Sequence, residues 1–145
     1  MTNKNLLDSL KIVLADSYVL YLKTQNYHWN VTGPNFKSFH LMFEEQYSDL
    51  FAAVDIIAER IRALGAKAPG TYAKYISLTN LKEGDEELDA NSMVKDLANS
   101  QDTIVNSLID TLKEAQNIGD DVTAGIITDR IEVHQKNAWM LKSSL

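Results

Sequence analysis

Glycine and proline stand in only a few places in this chain: Gly33-Pro34, the run from Gly65 to Gly70, Gly84 and Gly119, with Gly125 the outlier. Both residue types punctuate regular backbone, glycine by its conformational freedom and proline by its missing N–H. Long stretches without either lie between these points. That pattern predicts a few long helices and argues against a sheet, which needs closely spaced turns.

Apolar periodicity fills the stretches. A first helix is predicted over about Asn5 to Trp29, with Leu7, Leu10, Leu14, Tyr18, Tyr21 and Leu22 among its apolar residues. Its middle is apolar nearly all round, so it is expected to be buried on more than one side. The second helix carries Phe36, Phe39, Phe43, Tyr47, Leu50, Val54, Ile57, Ile61 and Leu64 at alternating steps of three and four, one sustained stripe that stops at Gly65. The stretch Leu81 to Asp89 is acidic. A third helix is predicted from near Ser92, with Val94, Leu97, Ile104, Leu108, Leu112 and Ala115 as its stripe and Gly119 as its end. Asp120 or Asp121 then caps a fourth, whose Ile127, Ile131, His134, Ala138 and Leu141 share a face.

The connections set the topology. The first two helices are joined around Gly33-Pro34, and the last two as tightly around Gly119, so each pair is antiparallel. The 26 residues from Gly65 to Ala90 are too many for a structureless loop in a compact domain. They suit a crossover along the bundle that carries a short helix near Tyr72–Ile76. An all-α, four-helix bundle with one long crossover is the ferritin-like arrangement. The 145 residues fit one domain, 1–145, with one core.

There is no cysteine, which excludes disulfide scaffolds, thiolate zinc sites and iron–sulfur clusters. A metal here would be held by nitrogen and oxygen, pointing to iron, manganese or zinc. Met1–Asn5 is polar and Leu6–Leu22 is interrupted by Asp8, Lys11 and Asp16, so neither a signal peptide nor a membrane span is expected, and the cytoplasm is the expected compartment.

His40, Glu44, Asp55 and Glu59 stand out on the second helix. The two members of each pair, four apart, point the same way. At about 100° per residue all four lie beside the core stripe, among Leu41, Phe51, Ala52 and Ala58. Ligand-type and apolar residues mixed on a flank suggest a surface that meets another subunit. Fifteen residues separate His40 from Asp55, about 22 Å along one helix. One chain therefore cannot bring both to one ion. Two antiparallel copies of the helix across a two-fold axis can, and they then form two equivalent sites. His28, near the end of the first helix, folds back toward His40 through the Gly33-Pro34 turn. The intra-bundle di-iron pattern needs Glu-x-x-His pairs, and the sequence contains none. His134 lies on an apolar stripe and is read as a hydrogen-bonded core histidine. Tyr27 and Tyr47 are read as structural, and packing is read as the main role of Trp29.

The run His28-Trp29-Asn30-Val31-Thr32-Gly33-Pro34-Asn35-Phe36, with His40, Phe43, Tyr47, Leu50, Asp55, Ala58-Glu59-Arg60-Ile61, Leu64-Gly65 and Ala138-Trp139-Met140-Leu141, closely resembles the Dps family, the DNA-binding proteins from starved cells or mini-ferritins. The resemblance covers nearly the whole chain. It implies a hollow shell of twelve subunits with two irons at each two-fold interfacial site. His28 and His40 would come from one subunit, Asp55 and Glu59 from its partner. Glu44 stands where the family carries an acidic residue, often Asp, that helps hold the second metal. The implied activity is that of a ferroxidase: oxidation of iron(II), with hydrogen peroxide preferred over dioxygen, followed by ferric storage that shields the cell and its DNA. The resemblance also implies that Trp29 intercepts stray oxidising equivalents. It implies that Asp120, Asp121 and Asp129 line three-fold pores through which iron enters. Capping and dipole placement are the plainer reading of those aspartates.

The alternative function is compaction of the nucleoid. Relatives that coat DNA do so through mobile lysine-rich tails, whereas here Lys4 is the one lysine before the first helix and the last helix is followed at once by Leu145. Net charge is −6 per chain, or about −72 for twelve copies, which repels a phosphate backbone at neutral pH. Weak or absent DNA binding is expected.

Overall fold

The computed structural model describes residues 3–145. Among these, the elements are all helices: α1 (Lys4–Asn30), α2 (Phe36–Ala63), α3 (Tyr72–Leu78), α4 (Ala90–Asn117) and α5 (Asp121–Lys142). α1 packs against α2 and α4, α4 against α5, and α2 touches α5, which closes a four-helix bundle. α3 rides on α1 within the crossover. The all-α ferritin-like architecture expected from the spacing of breakers is therefore present, short crossover helix included.

The core fits the stripes with two adjustments. Phe39, Phe43, Leu50, Ile57 and Ile61 of α2 are buried, and so are Leu97, Ile104 and Leu108 of α4. Each such side chain contributes about 1.5–3 kcal/mol by leaving water. Phe36 and Leu22, expected in the core, are exposed. Phe36 opens α2 before the helix has turned onto the core, and Leu22 faces the groove beside α3. α1 is enclosed by α2, α4 and α3, which explains why its middle is apolar nearly all round.

The helix ends follow local chemistry. At the end of α2 the Ala66 N–H donates to the Ile61 carbonyl at 3.2 Å and the Gly65 N–H to the Arg62 carbonyl at 3.0 Å. This is a Schellman cap, and it puts Gly65 at φ +98°, a conformation costly for any residue with a Cβ. The third long helix starts at Ala90, slightly before the expected Ser92, because Asp89 accepts from the Ser92 N–H at 2.8 Å and caps it. That bond holds the Asp89 carboxyl below the usual carboxylate range. Lys4 is the first residue of α1 and pairs with Asp8 at 2.9 Å, so it belongs to a helix and not to a tail.

The crossover is pinned by buried polar groups. Asp16 of α1 is fully buried and accepts from Thr79 Oγ1 at 2.6 Å, the Asn80 N–H at 2.7 Å and Ser107 Oγ at 2.8 Å. Burial outweighs those bonds and pushes its pKa up. Lys23, also buried, donates to Asp96 at 3.0 Å and to Ser100 at 2.9 Å. The Tyr27 hydroxyl donates to Asp96 and accepts from the Asp85 N–H. These bonds give the buried polar groups of Asp16, Lys23 and Tyr27 partners where the long segment crosses the bundle.

Candidate metal centre

The Gly33-Pro34 turn brings the end of α1 against the start of α2. There the rings of His28 and His40 stack, with centroids 3.7 Å apart and planes 12° from parallel. Their hydrogen bonds are reciprocal. His28 Nδ1 lies 2.7 Å from the His40 carbonyl oxygen, and His40 Nδ1 lies 2.6 Å from the His28 carbonyl oxygen. A carbonyl oxygen can only accept, so each Nδ1 must carry the hydrogen. In the neutral ring the lone pair is then on Nε2. Both imidazoles are held in the tautomer that leaves Nε2 as the acceptor, with the backbone as partner of Nδ1.

The surroundings hold this pair in place. His28 is buried and His40 half-buried. Phe36 stacks on His40 at 4.9 Å, and Tyr47 meets His28 edge-on at 5.2 Å. The exposed Phe36 thus acts as a wall of the histidine site, one helical turn before His40. Spacing alone did not disclose that role.

Glu44, Asp55 and Glu59 are exposed on the same flank of α2, where Leu41, Phe51 and Ile56 are exposed as well. α2 is continuous from Phe36 to Ala63, so the two ends of the flank stay about 22 Å apart. Among the described residues of one chain, no three His, Asp or Glu side chains converge to hold a metal ion. The carboxylates of this flank thus lie on a surface rimmed by large exposed apolar side chains, of the kind that suits a protein partner.

The other singled-out residues fall elsewhere. Trp29 is 60% exposed at the last turn of α1. The expected packing role fails within the chain, because the residue after the inward-facing His28 is turned about 100° away from the core. Tyr27 is buried and structural, as expected. His134 is buried in α5. Its Nδ1 donates to Gln101 Oε1 at 2.6 Å, and its Nε2 accepts from Arg130 at 3.0 Å. Arg130 in turn grips Asp49 through two bonds of 3.1 and 2.8 Å. The network ties α2, α4 and α5 together, and burial beside Arg130 lowers the His134 pKa to about 3. Asp120 is the cap of α5: it accepts from the Thr123 N–H at 3.0 Å and from Arg60 at 3.2 Å. Those bonds hold its carboxyl below the usual range despite partial burial. Asp121 and Asp129 are exposed on α5. Asp49, Arg60, Gln101 and Arg130 were not anticipated. Apart from the Arg130–His134 bond within α5, their partners are 33 to 81 residues distant, and no local pattern marks such pairs.

Fold and side chains together describe a ferritin-like bundle with a stacked histidine pair at one end of α2 and exposed carboxylates along it. A ferritin-like domain model matches residues 7–145. DNA protection during starvation protein 2 of Bacillus anthracis is 33% identical over 143 residues, covering 99% of this chain and 98% of that one. The solved structure of Dps from Staphylococcus aureus superposes with a TM-score of 0.95 at 34% identity, covering 98% of this chain and 95% of that chain. A Dps protein from Vibrio cholerae, described as a member of a broad superfamily of ferritin-like diiron-carboxylate proteins, superposes at 0.93 with 32% identity, covering 97% of this chain and 89% of that one. The chain belongs to the Dps family.

Proposed function

We propose that this protein is a ferroxidase that oxidises iron(II) with hydrogen peroxide and stores the ferric product in a hollow shell of twelve copies. The observation that carries the reading is the reciprocal pair of Nδ1–H···O=C bonds, which leaves the Nε2 lone pair of both rings available to a metal. The diiron-carboxylate description of the Vibrio cholerae relative supports iron as the substrate. His28, His40 and the neighbouring Glu44 from one copy, with Asp55 and Glu59 from its two-fold partner, form a site for two irons. Carboxylates favour iron(III) over iron(II), and neutral imidazoles bind without adding charge. Two iron(II) ions, one hydrogen peroxide and two protons give two iron(III) ions and two waters, so no hydroxyl radical is released. Asp121 and Asp129, with the capping Asp120, are proposed to line the three-fold pores that admit iron. The domain is the whole of 1–145. The cytoplasm is the proposed setting, in keeping with the DNA-protecting name of the Bacillus anthracis relative. No helix among the described residues is long and apolar enough to cross a membrane.

Anaerobic loading with iron(II) followed by peroxide tests the reading by ferric absorbance. Wild type is expected to oxidise iron promptly, and Asp55→Ala to fall to the rate of free iron. Equal slow rates in both would remove the proposal. The charge of −6 per chain disfavours nucleoid compaction as the main role. A mobility-shift assay at low salt and pH 7 is expected to leave DNA unretarded, and tight retention would restore that alternative.

A further inference from the structure

A groove of about 220 Å³ lies between α2 and α5, on the side of the bundle away from the histidine pair. Met42, Gln46 and Asp49 line it from α2, and Asn137 and Met140 from α5. At about 100° per residue, Met42 is turned roughly 200° around α2 from both His40 and Glu44, its neighbours two residues away. The groove is therefore clear of the flank proposed to meet a partner.

Two ion-pair and hydrogen-bond contacts fix the register of its walls. Arg60 meets Thr123 and Asp49 meets Arg130, each at 2.8 Å, so α2 and α5 run antiparallel. About two turns further along from the Asp49–Arg130 pair, Met42 stands level with Asn137. Met140 is one turn beyond, an offset of about 4.5 Å along the axis. Methionine has three rotatable bonds, so the two thioethers can meet across that offset. Between them the polar groups lack partners. Gln46 is 4% exposed and Asn137 8%, yet neither Nε2 nor Oε1 of Gln46, nor Nδ2 of Asn137, makes a hydrogen bond among the described residues. A buried amide with both ends unpaired is costly, which points to a ligand that the chain itself does not supply.

We propose that this groove is a soft-metal site that binds one copper(I) ion per chain through the sulfurs of Met42 and Met140, with the Gln46 amide oxygen as a third donor. The chain has no cysteine and four methionines, so thioethers are its only soft donors. Two of the four line this one groove. Thioethers are soft and uncharged, and they favour copper(I) over iron(II), iron(III) and copper(II), which prefer nitrogen and oxygen. The surrounding charges suit a monovalent cation. Asp49 is already matched by Arg130, Lys136 is exposed and keeps its ammonium in water, and the exposed carboxylate of Glu45 offsets the single positive charge. No electron is transferred: the site holds copper in the state in which it arrives. It shares no ligand with the proposed iron site and does not depend on that reading.

The assembled, iron-free protein is titrated anaerobically with copper(I) against bicinchoninate, a chromophoric copper(I) chelator. The loaded protein is then read by X-ray absorption at the copper edge. One copper(I) per chain with sulfur neighbours is expected. Met42→Leu and Met140→Leu are near-isosteric changes that keep the packing. Each is expected to weaken binding by at least about tenfold, and the two together to remove the sulfur neighbours. Met93→Leu, at a buried core position, is expected to leave the affinity unchanged, which separates loss of a ligand from general softening. His28→Ala with His40→Ala is expected to keep the sulfur-bound copper. Copper bound without sulfur neighbours, an affinity unmoved by both groove changes, equal weakening by Met93→Leu, or loss of the copper together with the histidine pair overturns the proposal.

Discussion

Two inactive variants assembled together are expected to regain about a quarter of the wild-type rate of iron oxidation. The first is His28→Ala with His40→Ala, the second Asp55→Ala with Glu59→Ala. Each is expected to assemble with every proposed site lacking one half of its ligands. If a site takes its histidines from one copy and its carboxylates from the partner, random 1:1 assembly places both intact halves at about one site in four. If all ligands came from one chain, no mixture could recover activity. The geometry underlying the expectation is the unbroken α2 helix, which holds the two ligand clusters about 22 Å apart. Refolding the variants together and separately, then measuring ferric absorbance after peroxide, decides it. Additive background rates from the mixture would sink the shared site.

Acid is expected to destabilise the protein from pH 6.5 downward, with His134 as the main cause. Its pKa is about 3 in the folded chain and about 6.5 unfolded. Above pH 6.5 both states hold the ring neutral, so it adds no pH dependence. Below that, the unfolded chain binds a proton that the folded chain refuses. Stability then falls by up to about 1.4 kcal/mol per pH unit, and by roughly 4–5 kcal/mol by the time the pH reaches 3. That is a large share of the roughly 5–15 kcal/mol that holds a domain together. Asp16 works with the opposite sign. Its pKa is raised by burial, so protonation favours the folded state as pH falls. Asp120 and Asp89 are depressed carboxylates and lose their contribution only as the pH falls through and below about 3.8. Urea unfolding of wild type and His134→Gln at pH 7, 5.5 and 4.5 isolates the histidine. The variant is expected to be less stable at pH 7, because Gln101 and Arg130 lose their partner, and to lose stability with acid more slowly. Parallel curves would assign the acid sensitivity to other groups.

Much of this protein is legible along the chain, because helices announce themselves locally. The breakers at Gly33, Gly65 and Gly119 mark turns that do adopt positive φ. The stripes on α2, α4 and α5 select most of the buried residues. The separation of His40 from Asp55 along α2 follows from arithmetic on one helix, since residue spacing becomes distance at a fixed rise. His134 was legible for the same reason: a histidine on an apolar stripe must find its partners inside.

What sequence spacing could not supply is the meeting of groups from different elements. The interlocked bonds that fix the tautomers of His28 and His40 depend on how closely α1 returns against α2. Asp120 was expected as a cap of the last helix and is one, but its second partner, Arg60, lies 60 residues away in sequence. Trp29 looked like a packing residue, and the phase of the last turn of α1 sends it to the surface. By itself, then, the sequence determined the helices and their order, because periodicity and capping act within a few residues of chain. Only the tertiary structure decided which way each imidazole is protonated and which rings and carboxylates meet, because those depend on contacts between segments that no local repeat encodes.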